Sequence, residues 1–356
     1  VARRAGVSVG TVSRVMNDGP NIGQANLRRV RRAVKELGYV KCDSAQLLAR
    51  RRTGGHQKTG NIGIFLPHMS RAWADHPLTM AYMTGVERAC VERGYHCLVE
   101  WAGQAAESYP RFLNENKVDG VLLKGPVPNE VLLGRILERL PVVGMGMCGP
   151  GMAIPRVAPD NHLAGREVAA WLWDLGHRRI AFISGERRHQ MFIYRRQGME
   201  AFMACQDDAE LVVAERQHIT GDAGMPESVL PDMTDLVNEV FSGPPDTHPT
   251  AVVAANDWCA AGVYSALYDR GMHPGQDISV VGFDNAVQVA CSLRPPLTTY
   301  AIPIEQTAFV AARLLLDRID SRRQEEPPSL QLVAGHLVER HSTNRPMQQE
   351  GVRMHV

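Results

Sequence analysis

Between positions 8 and 17 the chain carries Ser8, Val9, Gly10, Thr11, Ser13, Arg14 and Asn17, a run whose side chains suit recognition rather than bond-making. Val9 and Thr11 can meet thymine methyls, and Arg14 can reach a guanine edge or a phosphate. Ser8, Ser13 and Asn17 suit phosphate oxygens, contacts that position a protein on a duplex without reading its sequence. Gly10 and its small neighbours would let a helix sit close to base edges. Motifs for other chemistry are missing: no G-x-G-x-x-G follows the first strand, and there is no P-loop, G-x-S-x-G or H-E-x-x-H. His177, His189 and His218 lie in separate segments and read as surface or satisfied structural histidines. No acid, base and nucleophile come together, so the expectation is a non-enzyme with no cofactor and no metal.

Charge is distributed to match. Residues 1–60 hold thirteen Lys/Arg against Asp18, Glu36 and Asp43, a net +10, while the rest holds 26 against 35, a net −9. The overall +1 conceals a basic head on an acidic body, which points to polyanion binding confined to the head. Charge alone leaves a merely solvated basic surface open. The seven cysteines, Cys42, Cys90, Cys97, Cys148, Cys205, Cys259 and Cys291, are scattered without a C-x-x-C pair, as expected of reduced thiols. No apolar run approaches the roughly 18 residues of a membrane helix. The start, Val1-Ala2-Arg3-Arg4-Ala5-Gly6, lacks a secretory stretch and an initiator Met. A cytoplasmic protein missing a few native residues is expected.

The elements that must position the first run are three short helices. Val1 to Ala5 is the remainder of one, stopped by Gly6 at a position needing positive φ. Ser8 caps a second running to about Asn17, with Val12 and Val15 facing inward. A third follows from about Gln24 to Leu37, its apolar stripe formed by Leu27, Val30, Ala33, Val34 and Leu37. Two helices joined by a tight glycine turn make a helix-turn-helix, whose second helix enters the major groove.

After a linker at 53–60, short apolar runs alternate with amphipathic segments. Strands are expected at 61–66, 95–101, 119–124, 141–145, 179–184, 250–254 and 278–283. Helices are expected near 78–93, 107–116, 128–139, 161–175, 192–205, 231–241, 257–270 and 304–319. This alternation predicts an α/β body of two lobes with doubly wound parallel sheets, ligands lying beyond the carboxyl ends of the strands. A tail from about residue 345 to 356 reads as disordered.

The stretch from Val1 to Asn17 resembles, almost residue for residue, the head of the lactose-repressor/purine-repressor family. The resemblance continues through Leu175–Gly185, Pro249–Asp257, Asp277–Asn285 and Pro295–Thr299, to about Asn344. It implies a periplasmic-binding-protein-like body joined by three crossovers, with a small-molecule effector in the cleft. In that family the positions of Val9 and Gly10 vary and set operator preference. The stretch 40–52 matches a hinge that becomes helical on the operator, Leu48 falling on the intercalating leucine and Ala45 on a small residue below it. Lys41-Cys42 replaces the family's Pro-Asn pair, and Gly23 the Ser/Thr that begins the third helix.

In the body, Arg195 falls on the family's effector-clamping arginine, Asp284 on its hydroxyl- or amine-binding aspartate, and Asn256 with Asp257 on its polar pair. A guanidinium and a carboxylate can grip vicinal hydroxyls by charge-assisted hydrogen bonds. Alternatives remain: a salt bridge across the cleft rim for Arg195–Asp284, and a helix N-cap for Asp257. Departures concentrate in this pocket, where His76-Pro77-Leu78-Thr79, Gly221-Asp222-Ala223 and Met191 stand at aromatic or Ser/Thr positions. Trp258 either supplies a face for a sugar ring or packs on the lobe surface. The domains expected are a head at 1–40, a hinge and linker at 41–60, and a body at 61–344. Its N-lobe comprises about 61–157 and 301–322, and its C-lobe about 158–300 and 328–341. The function implied is an effector-controlled transcription regulator, a homodimer on a pseudo-palindromic operator with a carbohydrate effector and no membrane partner. The rivals are a solute-binding receptor of a transporter, argued against by the basic head, an effector-independent regulator, and a converting enzyme.

Overall fold

The computed structural model describes residues 1–16, 19, 22–38, 58–67, 69, 74, 76–103, 109–125, 130–146, 154–216, 231–321 and 328–346. Of the expected site residues, Asn17, Ala45 and Leu48 lie outside the described residues, as do His218, Gly221-Asp222-Ala223 and nearly all of the hinge and tail. The chain divides into two compact units, Val1–Thr59 and Gly60–Val356.

The first unit contains α1 (Ala2–Ala5), α2 (Val9–Met16) and α3 (Gln24–Glu36). Ala5, Val15, Val30 and Ala33 form its core, with Val1, Val7, Val12, Ile22, Leu27 and Val34 packed around them. Gly6 closes α1 at φ 63°, the left-handed conformation that glycine adopts without steric cost. Ser8 Oγ accepts the Thr11 N–H at 3.1 Å, the side-chain cap that starts α2. Gly23 begins α3 without a side-chain cap. Leu37, expected in the apolar stripe, instead sits at the C-cap of α3, past its last turn, and is exposed.

The second unit runs through β1 (Asn61–Pro67), α4 (Pro77–Arg93), β2 (His96–Gly103), α5 (Arg111–Asn114), β3 (Val121–Lys124), α6 (Glu130–Leu137), β4 (Val142–Met145) and β5 (Arg156–Pro159). It crosses to α7 (Asn161–Leu175), β6 (Arg179–Ser184), α8 (Gln190–Met203), β7 (Glu210–Glu215), α9 (Thr234–Val240), β8 (Ala251–Ala254), α10 (Asp257–Asp269), β9 (Ser279–Phe283), α11 (Val287–Ala290) and β10 (Thr298–Ala301). The remaining elements are α12 (Ile304–Ser321), β11 (Leu330–Val333) and β12 (His336–Val338).

Two sheets result, ordered β11-β5-β4-β3-β1-β2 and β12-β10-β9-β8-β6-β7. All neighbours are parallel except β10 and β12, which pair antiparallel through Thr299↔Val338 and Tyr300↔Leu337. The fully buried runs Ile64–Leu66, Val252–Ala255 and Val280–Phe283 explain the parallel arrangement, since both faces of these strands are covered. The chain passes between sheets after β5, after β10 and between β11 and β12. One boundary needs correction. β11 hydrogen-bonds along β5 (Leu330↔Arg156 to Val333↔Pro159), so the part of 328–341 before β12 belongs to the first lobe. The extended backbone of β5 leaves an open edge there, and β11 fills it.

Two glycines fix where α8 lies. A Cβ at Gly165 of α7 would overlap the Arg195 carbonyl oxygen, and one at Gly198 of α8 would overlap the carbonyl of His162. Their absent side chains bring α7 and α8 into backbone contact, which sets Arg195 at the mouth of the second sheet.

Candidate functional site

On α2, Ser8, Val9, Gly10, Ser13 and Arg14 are exposed, Thr11 is half-buried and Val15 is in the core. Val9 is 75% exposed, an apolar side chain left in water at the start of the helix. The Thr11 hydroxyl shares a 2.9 Å hydrogen bond with Ser8 Oγ, so Thr11 presents its methyl as much as its oxygen. Gly10 leaves open space beside it, with Ser8 Oγ as the nearest atom to a notional Cβ. The exposed face therefore combines small apolar groups, hydroxyls and one guanidinium, the set that reads base edges and holds phosphates.

The second constellation lies beyond the strand ends of the two lobes. Arg195 is 1% exposed and its guanidinium donates from three nitrogens: Nε to Asn161 Oδ1 at 3.0 Å, Nη1 to the Ala255 carbonyl at 2.6 Å, and Nη2 to Asp284 Oδ1 at 2.7 Å. Its guanidinium carbon lies 4.7 Å from the Phe283 ring centroid. One N–H remains on each Nη nitrogen. Asp284 follows β9 with φ 99°, and Asn285 has φ 51°, two successive non-glycine residues in the left-handed region. That turn is held at each residue. The Asp284 N–H donates to the Tyr300 carbonyl at 2.9 Å, and the Ala286 N–H donates to Asp257 Oδ2 at 2.7 Å. Arg340 Nη2 donates to Asn285 Oδ1 at 2.7 Å.

Asp257 corrects the sequence expectation. It is fully buried beneath this turn, its Oδ1 accepting the Thr299 hydroxyl at 2.6 Å and its Oδ2 the Ala286 N–H. Burial first, and then the charge of Asp284, push its carboxyl up to about 8, against those two hydrogen bonds. Both oxygens face protein, so Asp257 supports Asp284 from below and contacts no cleft. Nor is it the helix cap: Asn256 is, its Oδ1 accepting the Cys259 N–H at 2.7 Å. Gly282 is required for the same packing, since a Cβ there would strike Asp257 Oδ1.

Trp258 meets a partner that neither sequence alternative anticipates. The His76 ring of the first lobe lies 5.2 Å from it, tilted by 32°. His76 caps α4, its Nδ1 accepting the Leu78 N–H at 3.3 Å, with Pro77 in the first turn. Burial lowers the His76 pKa, the Lys124 charge adding to the shift and Asp284 opposing it. Leu78 and Met191 are half-buried against the main apolar cluster, and Thr79 is buried on α4.

Sequence reasoning missed three contributors. His189 is held to about 4, by burial first and then by the Arg195 and Lys124 charges, and Asp284 opposes the shift. Its ring lies 4.1 Å from Phe192, and its enclosed Nδ1 has no hydrogen-bond partner among the described residues. Lys124 ends β3 with its Nζ 3.8 Å above the Tyr82 ring. Asn161, buried at the start of α7, receives Arg195 Nε. The one available signal was Lys124 closing an expected strand. His177, by contrast, is the satisfied structural histidine expected: Nε2 donates to the Asn344 carbonyl at 2.9 Å, leaving Nδ1 to accept from Thr250 Oγ1 at 2.8 Å.

Two open concavities of about 570 and 430 Å³ lie elsewhere in the second lobe, around Cys291, Pro296, Arg340 and around Tyr268, His273, Arg294; His341 lines both. Neither includes a cleft residue. The strand-end cluster carries the charge pairing and the enclosed imidazole, and it lies where open α/β sheets bind ligands. Among the described residues, no group of His, Cys, Asp and Glu could hold a metal ion. No helix among them is long and apolar enough to cross a membrane.

Comparison with known proteins finds a family model for part of each unit. Residues 1–41 match the model for bacterial regulatory proteins of the lacI family, and residues 169–343 match that for a periplasmic binding protein-like domain. The ribose operon repressor of Escherichia coli (strain K12) is 32% identical over 325 residues, covering 90% of this chain and 92% of the relative. A solved transcriptional regulator CelR–cellobiose complex is 27% identical with a TM-score of 0.63, covering 96% of this chain and 98% of that one. The lac repressor dimer bound to operator and the anti-inducer ONPF shares the fold, with a TM-score of 0.75 at 23% identity and coverage of 96% and 97%. The chain belongs to the lacI family of bacterial regulatory proteins.

Proposed function

We propose that this protein is an operator-binding transcriptional repressor whose hold on DNA is set by a small polyhydroxylated molecule, a sugar or sugar derivative, in the cleft between its lobes. The observation that carries the first part is the α2 surface: Val9, Gly10 and Arg14 exposed on a helix anchored by Val15, within a head of net +10. As a homodimer, two such heads would read the half-sites of a pseudo-palindrome. The effector reading is supported by the remaining N–H groups of Arg195, the Asp284 carboxylate and the enclosed His189 Nδ1, which offer donors and acceptors to neighbouring hydroxyls. The Arg195 and Asp284 charges cancel, which suits a neutral polyol. Cellobiose in the CelR complex and the name of the ribose operon repressor support the same class.

Allosteric control then requires only that the effector prefer one lobe arrangement, a coupling of about 1–3 kcal/mol. We assign the protein no catalytic role and place it in the cytoplasm on family grounds. A second reading, effector-independent regulation, is favoured by one observation: the His76–Trp258 contact already joins the lobes. Calorimetric titration with pentoses, hexoses, disaccharides and purines separates the two. Binding of a sugar that is weakened at least tenfold in His189→Ala supports the proposal. No heat from any compound, with the fold intact, would contradict the effector reading and leave the second one standing.

A further inference from the structure

We infer that α3 carries a second, sequence-independent contact for duplex phosphates, separate from the α2 surface. Arg28, Arg31, Arg32 and Lys35 recur at spacings of three and four and are all exposed. They share one face of the helix, opposite Leu27, Val30, Ala33 and Val34 of the core. Arg29 is not part of the stripe, since its Nη2 donates to the Gly6 carbonyl at 3.5 Å. The only acid on α3, Glu36, is taken by Arg4 Nε at 2.8 Å.

Like charges three and four residues apart destabilise a helix, and Arg28 near the positive N-terminal end of α3 adds to that repulsion. None of the four cations supports the core, and the side chains of Arg28, Arg32 and Lys35 make no ion pair among the described residues, so the fold does not account for those three. A polyanion would turn the repulsion into attraction. The stripe from Arg28 to Lys35 rises about 10 Å along the helix, and each strand of a duplex carries one phosphate per about 3.4 Å of its axis, so the stripe can face about two or three of them. The inference rests on the reading of this unit as a DNA-binding head. It adds that part of the affinity comes from a helix that touches no base.

The test measures how duplex affinity depends on salt for the full-length protein and its R28Q/R32Q/K35Q variant. Two duplexes of equal length are used, one carrying the selected operator and one unrelated. Each phosphate contact removed should reduce the slope of log K against log salt by about 0.9, so the variant should lose about 2–3 units of slope on both duplexes. Its preference for operator over unrelated DNA should be unchanged, and its thermal midpoint equal or higher. The charge-conserving R28K/R32K variant should keep the parental slope. An unchanged slope in the triple variant, as expected if the stripe serves an acidic protein instead, would overturn the inference while leaving the α2 reading intact. Failure of the parent to bind any duplex would overturn both.

Discussion

Arg195 and Asp284 are joined at 2.7 Å with side chains only 1% and 6% exposed, which makes the pair at once a cleft feature and a buried salt bridge. Removing one charge leaves the other desolvated. Asp284→Asn is therefore expected to cost about 3 kcal/mol of stability as well as effector affinity. Urea denaturation checks the first and calorimetric titration the second. A variant of parental stability would mean that Arg195 is held by Asn161 and Ala255 alone.

Asp257 predicts a pH dependence of opposite sign to the usual aspartate. Its pKa rises to about 8 on folding, so the folded state binds a proton that the unfolded chain has already released above about pH 4. This group's contribution is full below about pH 4 and is lost as pH rises towards 8. Asp257→Asn should flatten that part of the stability profile in chemical denaturation at several pH values. A profile of unchanged slope would show that the buried carboxyl is charged in the folded state.

His177 acts in the other direction. Burial holds it to about 4, so as pH falls from about 6.5 the unfolded chain takes up a proton that the folded state refuses. The loss, complete near pH 4, is on the order of 3 kcal/mol. His177→Gln should be less stable at pH 7 yet lose less on acidification. Equal acid sensitivity in parent and variant would remove His177 as the cause.

The ring contact between His76 and Trp258 spans the lobes, and such pairs contribute about 0.5–1.5 kcal/mol. His76→Ala should shift the unliganded protein towards a more open arrangement, seen as a larger radius of gyration in X-ray scattering. Unchanged scattering would mean that the contact is incidental to lobe closure.

Much of the architecture was legible because apolar periodicity is strongest where burial is complete. Asn161–Leu175 and Arg179–Ser184 coincide with the expected spans, and α4, α10 and β9 differ from theirs by a residue at one or both ends. The strands left unpredicted have separate physical reasons. β7, β11 and β12 lie at sheet edges and carry half-exposed or polar side chains, and β5 ends in Pro159. β10 buries Thr298 and Thr299, whose hydroxyls are satisfied by Thr343 and Asp257, partners that no local pattern reveals. The site was legible in part for the same reason. Arg195 and Asp284, placed together by the resemblance, do meet at the strand ends, whereas Asn256 caps α10, and whether a carboxylate faces a cleft or a buried turn depends on contacts distant in sequence. Asp257 faces the turn, held by Thr299 and Ala286. His76 and Lys124 come close to Asp284 only because the two sheets bring them there.

The central claim is that the α2 surface reads a specific duplex, and selection of bound fragments from a random DNA pool at near-physiological salt tests it most directly. The expected result is recovery of one pseudo-palindrome by the parent protein and none by Arg14→Ala, with effector affinity unchanged in that variant. Recovery of unrelated fragments alone, bound with an affinity that merely falls with salt, would contradict it.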